Sequence, residues 1–110
     1  MSLDQIDQVD LKQLNEVLLA EDRGVLIEFW GPWCVPCRAL RPHLERMAQE
    51  RSDRWRIVAV NADEHPELAE KYRVQATPTL LFIRQGDEVH RFSGATTPSA
   101  IDEVLEIHSG

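Results

Sequence analysis

Three short apolar runs alternate with stretches of helical periodicity, and this alternation restricts the fold more than any other feature of the chain. The runs are Val25 to Trp30, Arg56 to Val60 and Thr79 to Ile83. Segments so short and so uniformly apolar suit strands buried on both faces. Between them lie helical patterns. Asp10 to Ala20 carries Leu11, Leu14, Val17 and Leu18 on one side, with Asp10 as N-cap, Gln13 three residues on and Gly24 as the stop. A second helix presents Leu40, Leu44, Met47 and Ala48, and Pro42 inside it should bend it. Asp63-Glu64-His65-Pro66 opens a third helix that continues through Leu68, Ala69 and Tyr72. Gln85-Gly86-Asp87 reads as a hairpin turn into an edge strand, Val89 to Phe92, and Thr97-Pro98 starts a final helix burying Ile101, Val104 and Leu105. With a first strand near Ile6 to Val9, the order predicts an α/β fold: a central mixed β-sheet flanked by helices on both faces. The chain of 110 residues is one domain in size, spanning 1–110.

Composition removes several function classes. A formal net charge of −7 repels phosphate backbones and anionic lipid, so neither nucleic acid nor a membrane surface is an expected partner. Arg51, Arg54 and Arg56 form one basic cluster, expected at a solvated helix end. The apolar runs are far too short for a membrane span. Met1-Ser2-Leu3-Asp4-Gln5 has no basic or apolar leader character, which points to the cytoplasm unless an export leader has been removed. His43, His65, His90 and His108 are scattered without metal-ligand spacing and read as surface histidines, so no metal site is expected.

Cys34-Val35-Pro36-Cys37 falls where a buried strand ends and a helix begins. Disulfide exchange needs one ionised, exposed thiol and a second near enough to resolve the mixed disulfide. Free N–H groups and the dipole at a helix N-terminus stabilise a thiolate there, so Cys34 is the expected nucleophile and Cys37 the resolving thiol. Pro36 suits the first helical turn, where its missing N–H is not needed. A zinc site built from the cysteines and two histidines is the metal alternative, but it lacks the usual second close ligand pair.

The stretch Glu28-Phe29-Trp30-Gly31-Pro32-Trp33-Cys34-Val35-Pro36-Cys37 closely resembles the active-site segment of the thioredoxin family. Ala76-Thr77-Pro78-Thr79-Leu80 resembles that family's cis-proline loop, Gly86 its hairpin glycine, and Gly94-Ala95 the glycine region beside the substrate groove. The resemblance runs from about Val9 to Leu105. It implies a thioredoxin fold and a protein-disulfide oxidoreductase of thioredoxin type. Its redox group would be the Cys34–Cys37 disulfide itself, with no further cofactor. It implies a cis bond before Pro78, which faces the Cys34 sulfur. The Thr77 backbone would hydrogen-bond an extended client segment, Trp33 would lie on the client-facing surface, and Trp30 would support the active-site loop. Disulfide-containing client proteins and a thioredoxin reductase or equivalent electron donor are the implied partners, and a monomer is expected.

Three departures from the family bear on mechanism. Glu28 stands where many bacterial thioredoxins carry a buried Asp; it is expected to accept the Cys37 proton, and burial would raise its pKa. The position where many carry a nearby Lys is Ala59, so Glu28 is expected to lack a cation and to titrate higher than is usual in the family. Val35 replaces the usual glycine between the cysteines, a place where packing tunes the dithiol–disulfide balance. An oxidase, isomerase or specialised relay in an exported setting is the alternative within the same chemistry. A non-catalytic binding or chaperone module on the same scaffold is the alternative outside it.

Overall fold

The computed structural model describes residues 6–109; the segment Met1 to Gln5, read above for leader character, lies outside them. The chain order is β1 (Asp7–Gln8), α1 (Leu11–Ala20), β2 (Gly24–Trp30), α2 (Val35–Glu50), β3 (Trp55–Asn61), α3 (Pro66–Lys71), β4 (Thr79–Arg84), β5 (Asp87–Ser93) and α4 (Pro98–Ile107). Local chemistry sets several of these boundaries. Asp10 Oδ1 accepts from Gln13 N at 2.8 Å while Gln13 Oε1 accepts from Asp10 N at 3.0 Å, a reciprocal capping box that begins α1. Thr97 Oγ1 accepts from Ala100 N at 3.2 Å and starts α4. The turn between β4 and β5 is Gln85-Gly86 alone, with φ of 52° and 83°, one residue shorter than the sequence suggested. Two positive φ values match the right-handed twist of the flanking strands.

The five strands form one sheet in the order β1-β3-β2-β4-β5. β1 and β2 run parallel to β3, β4 runs antiparallel to β2, and β5 antiparallel to β4. The strand that leads to Cys34 is therefore the middle one, with Glu28 paired to Ala59 on one side and Leu80 on the other.

Each face of the sheet has its own apolar layer, which is why the core strands are hydrophobic throughout rather than alternating. Leu26, Ile57, Ala59, Leu80 and Phe82 meet Leu40, Leu44 and Met47 of α2 and Ile101, Val104 and Leu105 of α4. Ile27, Phe29, Val58, Val60 and Leu81 meet Leu14 and Val17 of α1 and Leu68 of α3. Trp55 is fully buried, donates from Nε1 to Leu105 O at 3.0 Å and stacks edge-on against Phe82, so it anchors the core as well as starting a strand.

Three expectations from the sequence need correcting. Gly24 does not stop α1, which ends at Ala20; it opens β2 at a point where a side chain would collide with the Trp55 ring. His43 is buried, at 7% exposure, and bonds Asp102 Oδ1 through Nε2 at 2.7 Å and Arg46 through Nδ1 at 3.0 Å. Arg46 can only donate, so Nδ1 accepts and the ring proton sits on Nε2. Arg51 and Arg56 do not simply point into water but hold Glu106 at 2.7 Å and Asp7 at 3.1 Å.

Candidate active site

β2 leaves the sheet at Trp30, and the chain turns through Gly31-Pro32-Trp33 before α2 begins. Cys34 N donates to Gly31 O at 3.1 Å, closing that turn. Cys34 is the N-cap of α2, and its Sγ accepts from Cys37 N at 3.2 Å. This is the arrangement that stabilises negative charge on sulfur: an otherwise unpaired helix N–H aimed at the atom, with the positive end of the helix dipole behind it. Pro36 occupies the first turn. The cysteines are joined as a disulfide with Cα atoms 5.2 Å apart. Cys34 lies at the rim, 9% exposed, and Cys37 is deeper at 3%. Around the rim Trp33 is 87% exposed and Val35 64%, an apolar surface beside the reactive sulfur.

The proline loop comes up against the same turn. The Thr77–Pro78 peptide is cis. A Cβ built on Gly31 would sit 3.9 Å from Thr77 Oγ1, which places the turn before Cys34 against the loop before Pro78. Pro78 O accepts from Gly94 N at 2.8 Å, and Gly94 holds a φ of 89°, which a side chain would resist. Thr77, Pro78 and Gly94 are thus brought together, and Ala95 follows as an exposed residue. Trp30 is half-buried, packs on the α2–α4 layer and donates from Nε1 to Gln8 Oε1 at 2.8 Å.

Glu28 is fully buried, so its carboxylate does not reach water from the strand end. The expectation that it lacks a cation fails. Arg41 NH2 lies 2.6 Å from Glu28 Oε1, and the same guanidinium rests over the Trp30 ring at 5.6 Å. Ala59 does leave β3 without a charge, but α2 supplies one instead. Sequence reading missed Arg41, although a signal was present: it follows Cys37 by four residues, which puts both on one face of the helix.

The thioredoxin family model matches residues 5–106. The chain belongs to the thioredoxin family. It is 35% identical to thioredoxin 1 of Nostoc sp. over 92% of this chain and 94% of that protein. It is 40% identical to the thioredoxin of Bacillus subtilis over 76% of this chain and 81% of that one. Its fold superposes on the crystal structure of a Malassezia sympodialis thioredoxin with a TM-score of 0.86 at 27% identity, covering 97% of this chain and 93% of the other. The thioredoxin fold expected from the sequence is therefore the one observed. The chain is a thiol–disulfide oxidoreductase, and the Cys34–Cys37 pair is its active-site disulfide. Thioredoxins need no cofactor beyond this internal redox group, and the family implies disulfide-bearing clients and a reductase that recharges the pair. Among the described residues no helix is long and apolar enough to cross a membrane.

Proposed function

We propose that this thioredoxin acts as a single-domain, monomeric, cytoplasmic reductant of disulfides in client proteins. In the reduced form the Cys34 thiolate attacks one sulfur of a client disulfide. That bond breaks, a Cys34–client disulfide forms and the other client sulfur leaves as a thiolate. Cys37 then passes its proton to the Glu28 carboxylate and attacks Cys34 Sγ. The second client sulfur leaves as a thiolate, and two electrons have moved from the cysteine pair to the client. A reductase outside the chain returns the oxidised pair to the dithiol. Trp33 and Val35 form the client-facing surface, Thr77 offers its backbone to an extended client segment, and Pro78, Gly94 and Ala95 border that groove. Trp30 and Pro36 hold the loop and the helix start in place.

The observation that carries this reading is the Cys37 N–H aimed at Cys34 Sγ at 3.2 Å, with Cys34 the more exposed of the two cysteines. The test pairs two variants. Cys37→Ser is expected to accumulate a stable mixed disulfide with a disulfide-bonded peptide, whereas Cys34→Ser forms none. Equal trapping by both variants would refute the assignment of roles. Titration against defined thiol buffers tests the direction of electron flow, since about 30 mV corresponds to a tenfold change in the two-electron equilibrium. A strongly reducing couple supports the reductant, and a markedly oxidising one supports an oxidase or isomerase in an exported setting. For Glu28 the expected result is that Glu28→Gln slows resolution and alters its pH dependence, and an unchanged profile removes it from the mechanism.

A further inference from the structure

A buried ion pair is a poor source of stability, because desolvation offsets most of the Coulombic gain and an apolar pair of similar volume does as well. The Glu28–Arg41 pair lies inside the apolar layer between the sheet and α2, with Glu28 fully buried and the Arg41 side chain 22% exposed. Its place suggests another reason for its presence. Arg41 stands one turn along α2 from Cys37 on the same face, so the guanidinium connects the carboxylate to the helix that carries the resolving thiol. The stacked Trp30 ring, fixed by Gln8, limits where that guanidinium can go.

We infer that Arg41 is a positioning residue for the resolving step, holding the Glu28 carboxylate ionised and fixed where it can take the Cys37 proton. The inference rests on the proposed role of Glu28 as that proton acceptor. Arg41 is a cation in direct contact with the Glu28 carboxylate. Across the sheet Glu28 is flanked by Ala59 and Leu80, neither charged. Of the elements packed over this face, α4 contributes Ile101, Val104 and Leu105, and β5 contributes Phe92 and the ring of His90, which packs against Phe82 and Phe92. On α2, Leu40 and Leu44 flank Arg41, while His43 is engaged by Asp102 of α4 and by Arg46. An opposite charge in close contact favours the ionised carboxylate, which burial alone would disfavour. A protonated Glu28 could not accept a proton from Cys37.

The test separates attack from resolution with 5,5′-dithiobis(2-nitrobenzoate). Each step releases one coloured thiolate, the first when Cys34 attacks and the second when Cys37 resolves. Arg41→Met, which keeps the apolar stem over Trp30, is expected to slow the second phase about tenfold near neutral pH and to recover as pH rises. The first phase should change by less than about twofold. Arg41→Lys should restore most of the lost rate, and in a Glu28→Gln background Arg41→Met should add almost nothing. Superimposable second-phase profiles for wild type and Arg41→Met would overturn the inference. If Glu28→Gln alters the second phase while Arg41→Met does not, the inference fails and the role of Glu28 stands. If Glu28→Gln itself changes nothing, both fall. Thermal unfolding of each oxidised variant checks the fold, and Arg41→Gln replaces Arg41→Met under the same criteria if the latter does not fold.

Discussion

Gly24 offers a sharp test of how the core is assembled. A Cβ at this position would stand 2.6 Å from Cε3 and Cζ3 of Trp55 and 2.8 Å from Cδ of Arg84. Carbon atoms prefer a separation of about 3.5–4.0 Å, so the indole would have to retreat by about 1 Å. Arg84 is a long side chain and can move. Trp55 cannot, because it is fully buried, tied through Nε1 to Leu105 O at 3.0 Å and set edge-on against Phe82 with centroids 5.9 Å apart. Overpacking of this kind costs about 1–3 kcal/mol, and a weakened Trp55–Leu105 hydrogen bond adds to it. Restricting the unfolded chain by replacing glycine with alanine returns only about 0.4–1 kcal/mol. Gly24→Ala is therefore expected to destabilise the oxidised protein by about 1–3 kcal/mol, lowering Tm by about 5–15 °C for a domain of this size. Urea unfolding followed by tryptophan fluorescence measures it. The double variant with Trp55→Leu supplies the control, since removing the indole should erase most of the cost of the alanine. A Gly24→Ala protein within about 0.5 kcal/mol of wild type, or an equal cost in both backgrounds, would refute the reasoning.

Two further outcomes concern polar pairs away from the cysteines. Hydrogen bonding from the Arg23 side chain, reinforced by its backbone N–H and the charges of Arg23 and Arg56, holds the Glu21 carboxyl down at about 2 against desolvation. A lowered folded-state pKa contributes stability that is complete above the ordinary value of 4.5 and disappears as pH falls toward about 2. Arg23 and Arg56 are each 35% exposed, so the contribution is screened to about 1 kcal/mol, read as a wild-type advantage over Glu21→Gln that shrinks across this window. An advantage that stayed constant on acidification would contradict the assignment. Separately, Asp102→Ala leaves the buried Nε2–H of His43 without its carboxylate and should cost about 1–2 kcal/mol in denaturant unfolding. A neutral effect would mean that the link between α2 and α4 contributes nothing to stability.

Much of this architecture was legible because local chemistry and tertiary placement agree. Asp10 with Gln13, Thr97 with Ala100 N and the positive-φ pair Gln85-Gly86 declare their elements through hydrogen bonds or backbone geometry that short segments specify by themselves. The uniform apolar character of β2, β3 and β4 follows from helices covering both faces, so buried strands could be read without alternation. The Cys34–Cys37 junction was equally readable, since strand, turn and helix start lie within one short stretch of sequence. What escaped reading depends on residues remote in sequence. Gly24 is small because of Trp55, His43 is buried because Asp102 is 59 residues away, and Arg41 turns inward because Glu28 lies on the strand beneath it. A glycine, a histidine and an arginine on an amphipathic helix each look ordinary until the partner is in place.

The spacing of the active-site disulfide has a consequence for how the molecule ages in use. Cys34 and Cys37 are only three positions apart, so the bond closes a very small loop. Chain entropy gives such a loop about 2 kcal/mol of stabilisation, against about 5 kcal/mol for a bridge spanning around 100 residues. The bridge also sits beyond the end of β2, outside the strand pairings that hold the sheet together. Making and breaking it therefore leaves most of the folding free energy untouched. A protein arranged this way can be discharged and recharged many times without being driven toward its unfolded state.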